Sequence, residues 1–264
     1  MDMKKILAVA AAVVGTTVMA DIVSSSVVGY QTIDVEQGKF MILAAQFQDT
    51  ATGEIDINKV VSGVKGVDWD EGGDFEATAP QIQVQDSTGG YTTYYYLNDG
   101  YVDAATTKEG WCDLAGNYVA LKVSAGSAFW FRDSGTSPST TLAGQVEDDD
   151  VVSVETKSGA FTLVGNAFPS AFKLNSDKFT SDDIAGVDWD EGGDFETTAP
   201  QIQMQDATGG YTTYYYLNDG YVDAATTKKG WCDLAGNYVA DDAVAAGRGF
   251  WFKGAGDATL KFNK

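Results

Sequence analysis

Polar and apolar residues alternate strictly along Gln81-Ile-Gln-Val-Gln85, the period of a half-buried strand. Asp86-Ser-Thr-Gly-Gly90 follows as a turn, with glycines free to take positive φ. Tyr91 to Leu97 is then dense in residues that suit a pleated surface. Together these predict a β-hairpin with a five-residue loop. In the expected register Ile82 and Val84 share the core side with Tyr91, Thr93, Tyr95 and Leu97. Tyr94 and Tyr96 then lie on the outer face with the glutamines, and a slip of one residue exchanges the tyrosines. Phe40 to Leu43, Ala128 to Phe131 and Leu260 to Phe262 predict further short strands, and Asn98-Asp-Gly100 a second turn. Helical periodicity is weak, with room for a turn or two over 58–64 and 176–185. Many short strands with Gly-rich turns predict an all-β fold, sandwich or barrel-like.

The same pattern occurs twice. Gly66 to Ala120 returns as Gly186 to Ala240, and only Ala77/Thr197, Val84/Met204, Ser87/Ala207 and Glu109/Lys229 differ. The flanks are looser: Ala128-Phe-Trp-Phe-Arg132 answers Gly249-Phe-Trp-Phe-Lys253. Each unit is domain-sized rather than a short solenoid repeat. The expected division is a leader over 1–20, one β-rich domain over 21–144 and a second over 145–264. Two like units presenting the same surface suit a bivalent binder or an assembling subunit.

The leader rests on a basic start at Lys4 and Lys5, an apolar run from Ile6 to Val18, and Val18-Met-Ala20 as a cleavage site. That layout predicts export, and the apolar run is shorter than a membrane span needs. The chain carries 17 basic and 38 acidic residues, a net charge of −21. Losing Lys4, Lys5 and Asp2 with the leader would leave −22. Such a surface repels nucleic acid and anionic membranes and favours cations. Histidine is absent, which removes Ser-His-Asp and Cys-His catalysis and histidine-based metal sites.

Three constellations carry candidate chemistry. Asp68-Trp-Asp-Glu-Gly-Gly-Asp-Phe-Glu76 and its copy at 188–196 alternate carboxylates around paired glycines. Asp68, Asp70, Asp74 and Glu76, with Asp188, Asp190, Asp194 and Glu196, are candidate Ca2+ ligands, since calcium takes several oxygens on a foldable loop. The pattern is similar to the first half of an EF-hand loop. It departs at Gly72 and Gly192, which offer no side-chain oxygen, and at Ala79 and Ala199, where a bidentate Glu would stand. The plainer reading is a solvated acidic turn anchored by Trp69 and Phe75. Carboxylates so close on one turn do not frame a sugar as a glycosidase pair must, so no enzyme is expected. The second constellation is aromatic: Tyr94, Tyr96, Tyr214 and Tyr216 are candidate contact residues for a glycan or another protein. The third is Cys112 and Cys232, one per unit. They can pair with each other, pair between chains, or remain as buried thiols.

The frame "GxFxLVGNxF", "TAPQIQ…TGGYTTYYYL", "GWCDLAGN" and "GxGFWF" resembles a set of uncharacterised secreted repeat proteins of Planctomycetes–Verrucomicrobia–Lentisphaerae bacteria. The resemblance spans most of the chain beyond the leader. It implies an envelope or extracellular location and brings no catalytic residue with it. The expected function is a secreted, acidic structural or interaction protein of the cell surface or matrix that binds itself or other surface proteins. A pair of carbohydrate-binding modules is the alternative, and a glycoside-active enzyme the last.

Overall fold

The computed structural model describes residues 28–52, 54–70, 73–134, 139–181, 183–190, 193–206 and 208–264. The leader expected over 1–20 lies outside them. The first half runs β1 (Val28–Asp34), β2 (Phe40–Ala44), β3 (Phe47–Gln48), β4 (Ile55–Asp56), α1 (Ile57–Val60), β5 (Val61–Ser62), α2 (Phe75–Thr78), β6 (Gln81–Gln85), β7 (Tyr91–Asp103), β8 (Thr106–Cys112), β9 (Lys122–Val123), β10 (Ala128–Arg132) and β11 (Ser139–Val146). The second runs β12 (Val151–Thr156), β13 (Phe161–Gly165), β14 (Phe172–Lys173), β15 (Phe179–Thr180), α3 (Phe195–Thr198), β16 (Gln201–Gln205), β17 (Tyr211–Asp223), β18 (Thr226–Cys232), β19 (Ala243–Val244), β20 (Gly249–Lys253) and β21 (Ala258–Asn263).

The fold is all-β, built of antiparallel sheets that pack in a sandwich-like way and do not close into a barrel. Each half has a five-stranded sheet, ordered β2-β10-β6-β7-β8 and β13-β20-β16-β17-β18. Each also has a small sheet in which first and last strands meet, β1 on β11 and β12 on β21. This pairing ties each half's ends together. The boundary expected after Gly144 falls inside β11, which continues to Val146 before the acidic run 147–150.

The hairpin forms where alternation predicts it, and its register corrects the expectation. Gln85 faces Tyr91, so Ile82 faces Tyr94 and Val84 faces Thr92. Cross-strand partners share a face. Tyr94 and Tyr96 therefore lie on the core side, half-buried against the main hydrophobic cluster, and Tyr214 belongs to that cluster at 5% exposure. With five loop residues the two strand numbers sum to an even value, so even positions meet even positions. Tyr95 and Leu97, on the other face, are also buried, in a second cluster with Phe75, Ala79 and Cys112. Both faces of β7 are thus covered, and simple alternation could not choose between them.

The turn expected at Asn98-Asp-Gly100 is instead a bulge within β7, between Leu97 and Gly100. Asn98 and Asp99 turn their polarity toward the acidic segment: the Asn98 amide donates to Asp68 (2.8 Å), and Asp99 accepts from the Trp69 N–H (2.8 Å). Gly100 is required for space, because a Cβ there would lie 2.1 Å from the Cys112 sulfur. Of the helical stretches allowed by the sequence, the first holds α1, whose N-terminal amide at Asn58 is capped by Asp56. The second holds strand β15 and no helix among its described residues.

One hydrophobic cluster runs through both halves, from Ile33 and Phe47 to Phe250 and Phe262. The halves meet along a seam with paired contacts. Gln85 donates to the Phe161 carbonyl (2.9 Å) and accepts from the Leu163 N–H (2.8 Å). Its counterpart Gln205 donates to the Phe40 carbonyl (2.8 Å) and accepts from the Ile42 N–H (3.2 Å). The Ala44 N–H reaches Gly247 O (2.9 Å), as the Gly165 N–H reaches Gly126 O (2.8 Å). Trp130 and Trp251 face each other across the seam with centroids 6.2 Å apart. Each contact recurs with the roles of the halves exchanged, which is the signature of an approximate two-fold axis.

Candidate functional site

The acidic segment is built onto the outer face of β7. Val67 bridges Leu97 in parallel, and Trp69 packs edge-on against Tyr101 at 5.5 Å. Phe75 opens α2, is buried, and meets Tyr95 edge-on at 5.2 Å. The carboxylate of Asp70 accepts from the backbone amides of Asp74 and Phe75, both at 3.1 Å. Asp190 does the same for Asp194 and Phe195. These are the free amides at the start of a helical turn, and a carboxylate there acts as a cap. Asp68 and Asp188 hold the side-chain amides of Asn98 and Asn218. Asp74 and Glu76, like Asp194 and Glu196, stand at the start of α2 and α3. No three acidic or cysteine side chains converge on a metal-sized site among the described residues.

The candidate contact tyrosines divide. Tyr94, Tyr96 and Tyr216 are half-buried and Tyr214 is buried, so the exposed contact face expected of the four does not form. Burial, and then the neighbouring Glu109 carboxylate, pushes the Tyr96 phenol up to about 12. The exposed aromatics are instead Tyr30, Tyr91, Tyr101, Tyr211 and Tyr221.

Cys112 and Cys232 are free and buried. Each donates to the carbonyl two residues before it, Gly110 or Gly230, at 3.4 Å. Each sits in its own half's second cluster, so the disulfide between them that the sequence left open does not form. Burial pushes both thiols up to about 12, which keeps them in the unreactive form.

The features that present themselves outward are the strand edges. In each five-stranded sheet one edge, β2 or β13, is at the seam and the other, β8 or β18, ends the sheet. The outer strands are exposed over Thr106 to Glu109 and Thr226 to Lys229. Tyr101 turns its backbone away from β8, exchanging hydrogen bonds with Gly116 and Tyr118. Its partner Thr107 therefore also directs its N–H and carbonyl outward, as in any pair that does not bond across the ladder. Further along β8 the outward N–H of Trp111 is taken by Asn58 and its carbonyl by Val119. Among the described residues nothing takes those of Thr107. β18 repeats this, with Tyr221 bonded to Gly236 and Tyr238, and Asn175 capping Trp231.

The roles of Gln85 and Gln205 at the seam were not found from the sequence. Their alternation marks them as strand residues, but no local signal shows that a partner strand lies across from them. No family model, curated protein or solved structure matches the chain. No helix among the described residues is long and apolar enough to cross a membrane.

Proposed function

We propose that the chain is a non-catalytic structural protein of the cell surface or extracellular matrix that assembles through its two outer edge strands. One observation carries this reading: each half ends in an exposed edge whose outward backbone groups at Thr107 and Thr227 meet no partner among the described residues, while the opposite edge is closed by the other half. Unpaired strand edges are templates for another strand. Two of them on one chain, joined β8 to β18, make a head-to-tail contact that propagates as an open filament. The basic and apolar pattern of residues 1–20, which fits a leader, supports a site of action outside the cytoplasm, and the large negative charge keeps unassembled chains apart.

The test is light scattering and electron microscopy of the chain from residue 21, beside the variant Thr107→Pro/Thr227→Pro. Proline removes an outward donor without removing a ladder bond, a position where edge strands accept it. The wild type is expected to form filaments and the variant to stay dispersed with its melting temperature kept. Filaments of equal length from the doubly substituted chain would overturn the reading, as would a wild type that stays monomeric at every concentration.

A further inference from the structure

The two near-identical blocks differ in charge at one place, Glu109 against Lys229. In the second half that place opens on a cleft of about 420 Å³ between β18 and the stretch from Leu174 to Ser181, with Ile184. The volume is within the roughly 300–1,000 Å³ of small-molecule sites. Ser176, Thr180, Tyr216, Lys228, Lys229 and Tyr238 line it. Its floor is Trp231, 2% exposed, whose backbone N–H and carbonyl are both held by the Asn175 side chain.

Lys229, beside the shared lysine Lys228, is what sets this cleft apart. The Lys228 ammonium stands 4.7 Å from the ring centre of Tyr238, and that of Lys229 stands 5.5 Å from the ring centre of Tyr216. Neither joins an ion pair among the described residues, although the chain has 38 carboxylates. In the first half the matching pair is internally balanced. Lys108 lies 3.1 Å from the Tyr118 hydroxyl and 4.3 Å from that ring's centre, and the Glu109 carboxylate neighbours the Tyr96 phenol. So one half carries a plus and a minus at this point, and the other carries two positive charges over one cavity.

Two ammonium groups that rest on ring faces, with no described carboxylate paired to either, have charge to offer a ligand. Tyrosine rings with hydroxyls beside them suit the apolar faces and polar rim of a sugar. We infer that this cleft binds one anionic sugar residue, a uronate or a sulfated sugar, at Lys228 and Lys229 between Tyr216 and Tyr238. In the first half Glu109 stands where Lys229 does, so the equivalent place offers one positive charge and one negative. The surrounding negative charge opposes a long polyanion. At about 0.15 M salt, charges more than about 8 Å away are largely screened, so a short oligomer meets mainly the lysine pair.

The experiment is isothermal titration of the full chain at that salt with trigalacturonate, a sulfated disaccharide and a neutral glucose trimer. Wild type is expected to bind one acidic ligand per chain and the neutral trimer at least tenfold more weakly. Whichever acidic probe binds identifies the anion as carboxylate or sulfate. Lys229→Glu is expected to lose at least tenfold in affinity with an unchanged melt, since the first half already carries Glu in the same frame. Lys228→Ala provides a second loss, and Glu109→Gln is expected to change nothing. Repeating the titration with Thr107→Pro separates a cleft covered by assembly from a cleft that binds nothing. The inference is overturned if neither acid binds that non-assembling chain, if the neutral trimer binds as tightly, if Lys229→Glu binds like wild type, or if Glu109→Gln weakens binding as much.

Discussion

At the seam, β2 and β13 end their sheets against the other half; at the far side, β8 and β18 end theirs with Thr107 and Thr227 facing outward and no described partner on them. The two edges meet the same physical demand, since a sheet edge always leaves backbone donors and acceptors to fill. At the seam a glutamine supplies both groups at once, and its amide reaches one carbonyl and one N–H of the facing strand. Glycines let the backbones close: a Cβ on Gly249 would lie 2.6 Å from both Ala128 Cβ and Ile42 Cγ2. At the outer edge the described residues fill the end near Trp111 and Trp231, through Asn58 and Asn175, and no more of it. The contrast teaches that the halves are related as partners of a dimer are, with one edge of each used inward and one left outward.

The largest expected effect comes from forcing the seam apart. Gly249→Val adds atoms where carbon already stands, and overpacking of this kind costs about 3 kcal/mol at its upper range. Urea unfolding should show that loss and separate one transition into two; a change below about 0.5 kcal/mol, the range of neutral surface substitutions, would show the seam to be looser than described.

Next come the glutamines. Gln85→Ala or Gln205→Ala removes two hydrogen bonds and leaves edge groups unfilled, for about 1–2 kcal/mol each. Thr107→Ala on the outer edge should stay within about 0.5 kcal/mol. Equal losses at both places would erase the distinction between the edges.

A third effect tests the layer that covers β7. Asp70→Ala removes the carboxylate that accepts from the Asp74 and Phe75 amides at the start of α2 and should cost about 1 kcal/mol, as loss of a cap does. If the capping role is the whole role, that loss is the same with and without EDTA. A melting temperature raised by calcium in wild type and not in the variant would show the carboxylates serving a metal as well.

The effect that is smallest near neutral pH is a slope that opens only in alkali. Cys112 and Cys232 titrate at about 12 when folded, whereas an unfolded thiol titrates near about 8.5. The unfolded chain therefore loses these protons first as pH rises. Their contribution is whole below about pH 8.5 and declines toward pH 12, so urea stability should fall over that interval. Thiol reagents at pH 8 should label neither cysteine before unfolding and both after it; rapid labelling of the native chain would contradict their burial.

Several elements were legible in the residues themselves. Gln81 to Gln85 and the apolar runs at Phe40 and Phe129 form strands because their patterning matches the pleat, and that is a local property. Trp69 and Phe75 anchor the acidic segment as their size and apolarity suggest. Asn98-Asp-Gly100 misled because turn-forming side chains are also good hydrogen-bonding groups. Here they bind the acidic segment 30 residues away in sequence instead of bending their own chain.

What the sequence by itself determined is the strand content, the duplication of a 55-residue block with four differences, and the excess of negative charge. All three follow from residue type and spacing alone. Only the tertiary structure decided which tyrosines are covered, which edge of each sheet is closed, and that Lys228 and Lys229 share one cleft. Those outcomes depend on what lies across from a residue. β7 is buried on both faces, and the seam closes one edge with a glutamine from the other half, so the deciding neighbour is far along the chain and leaves no local mark.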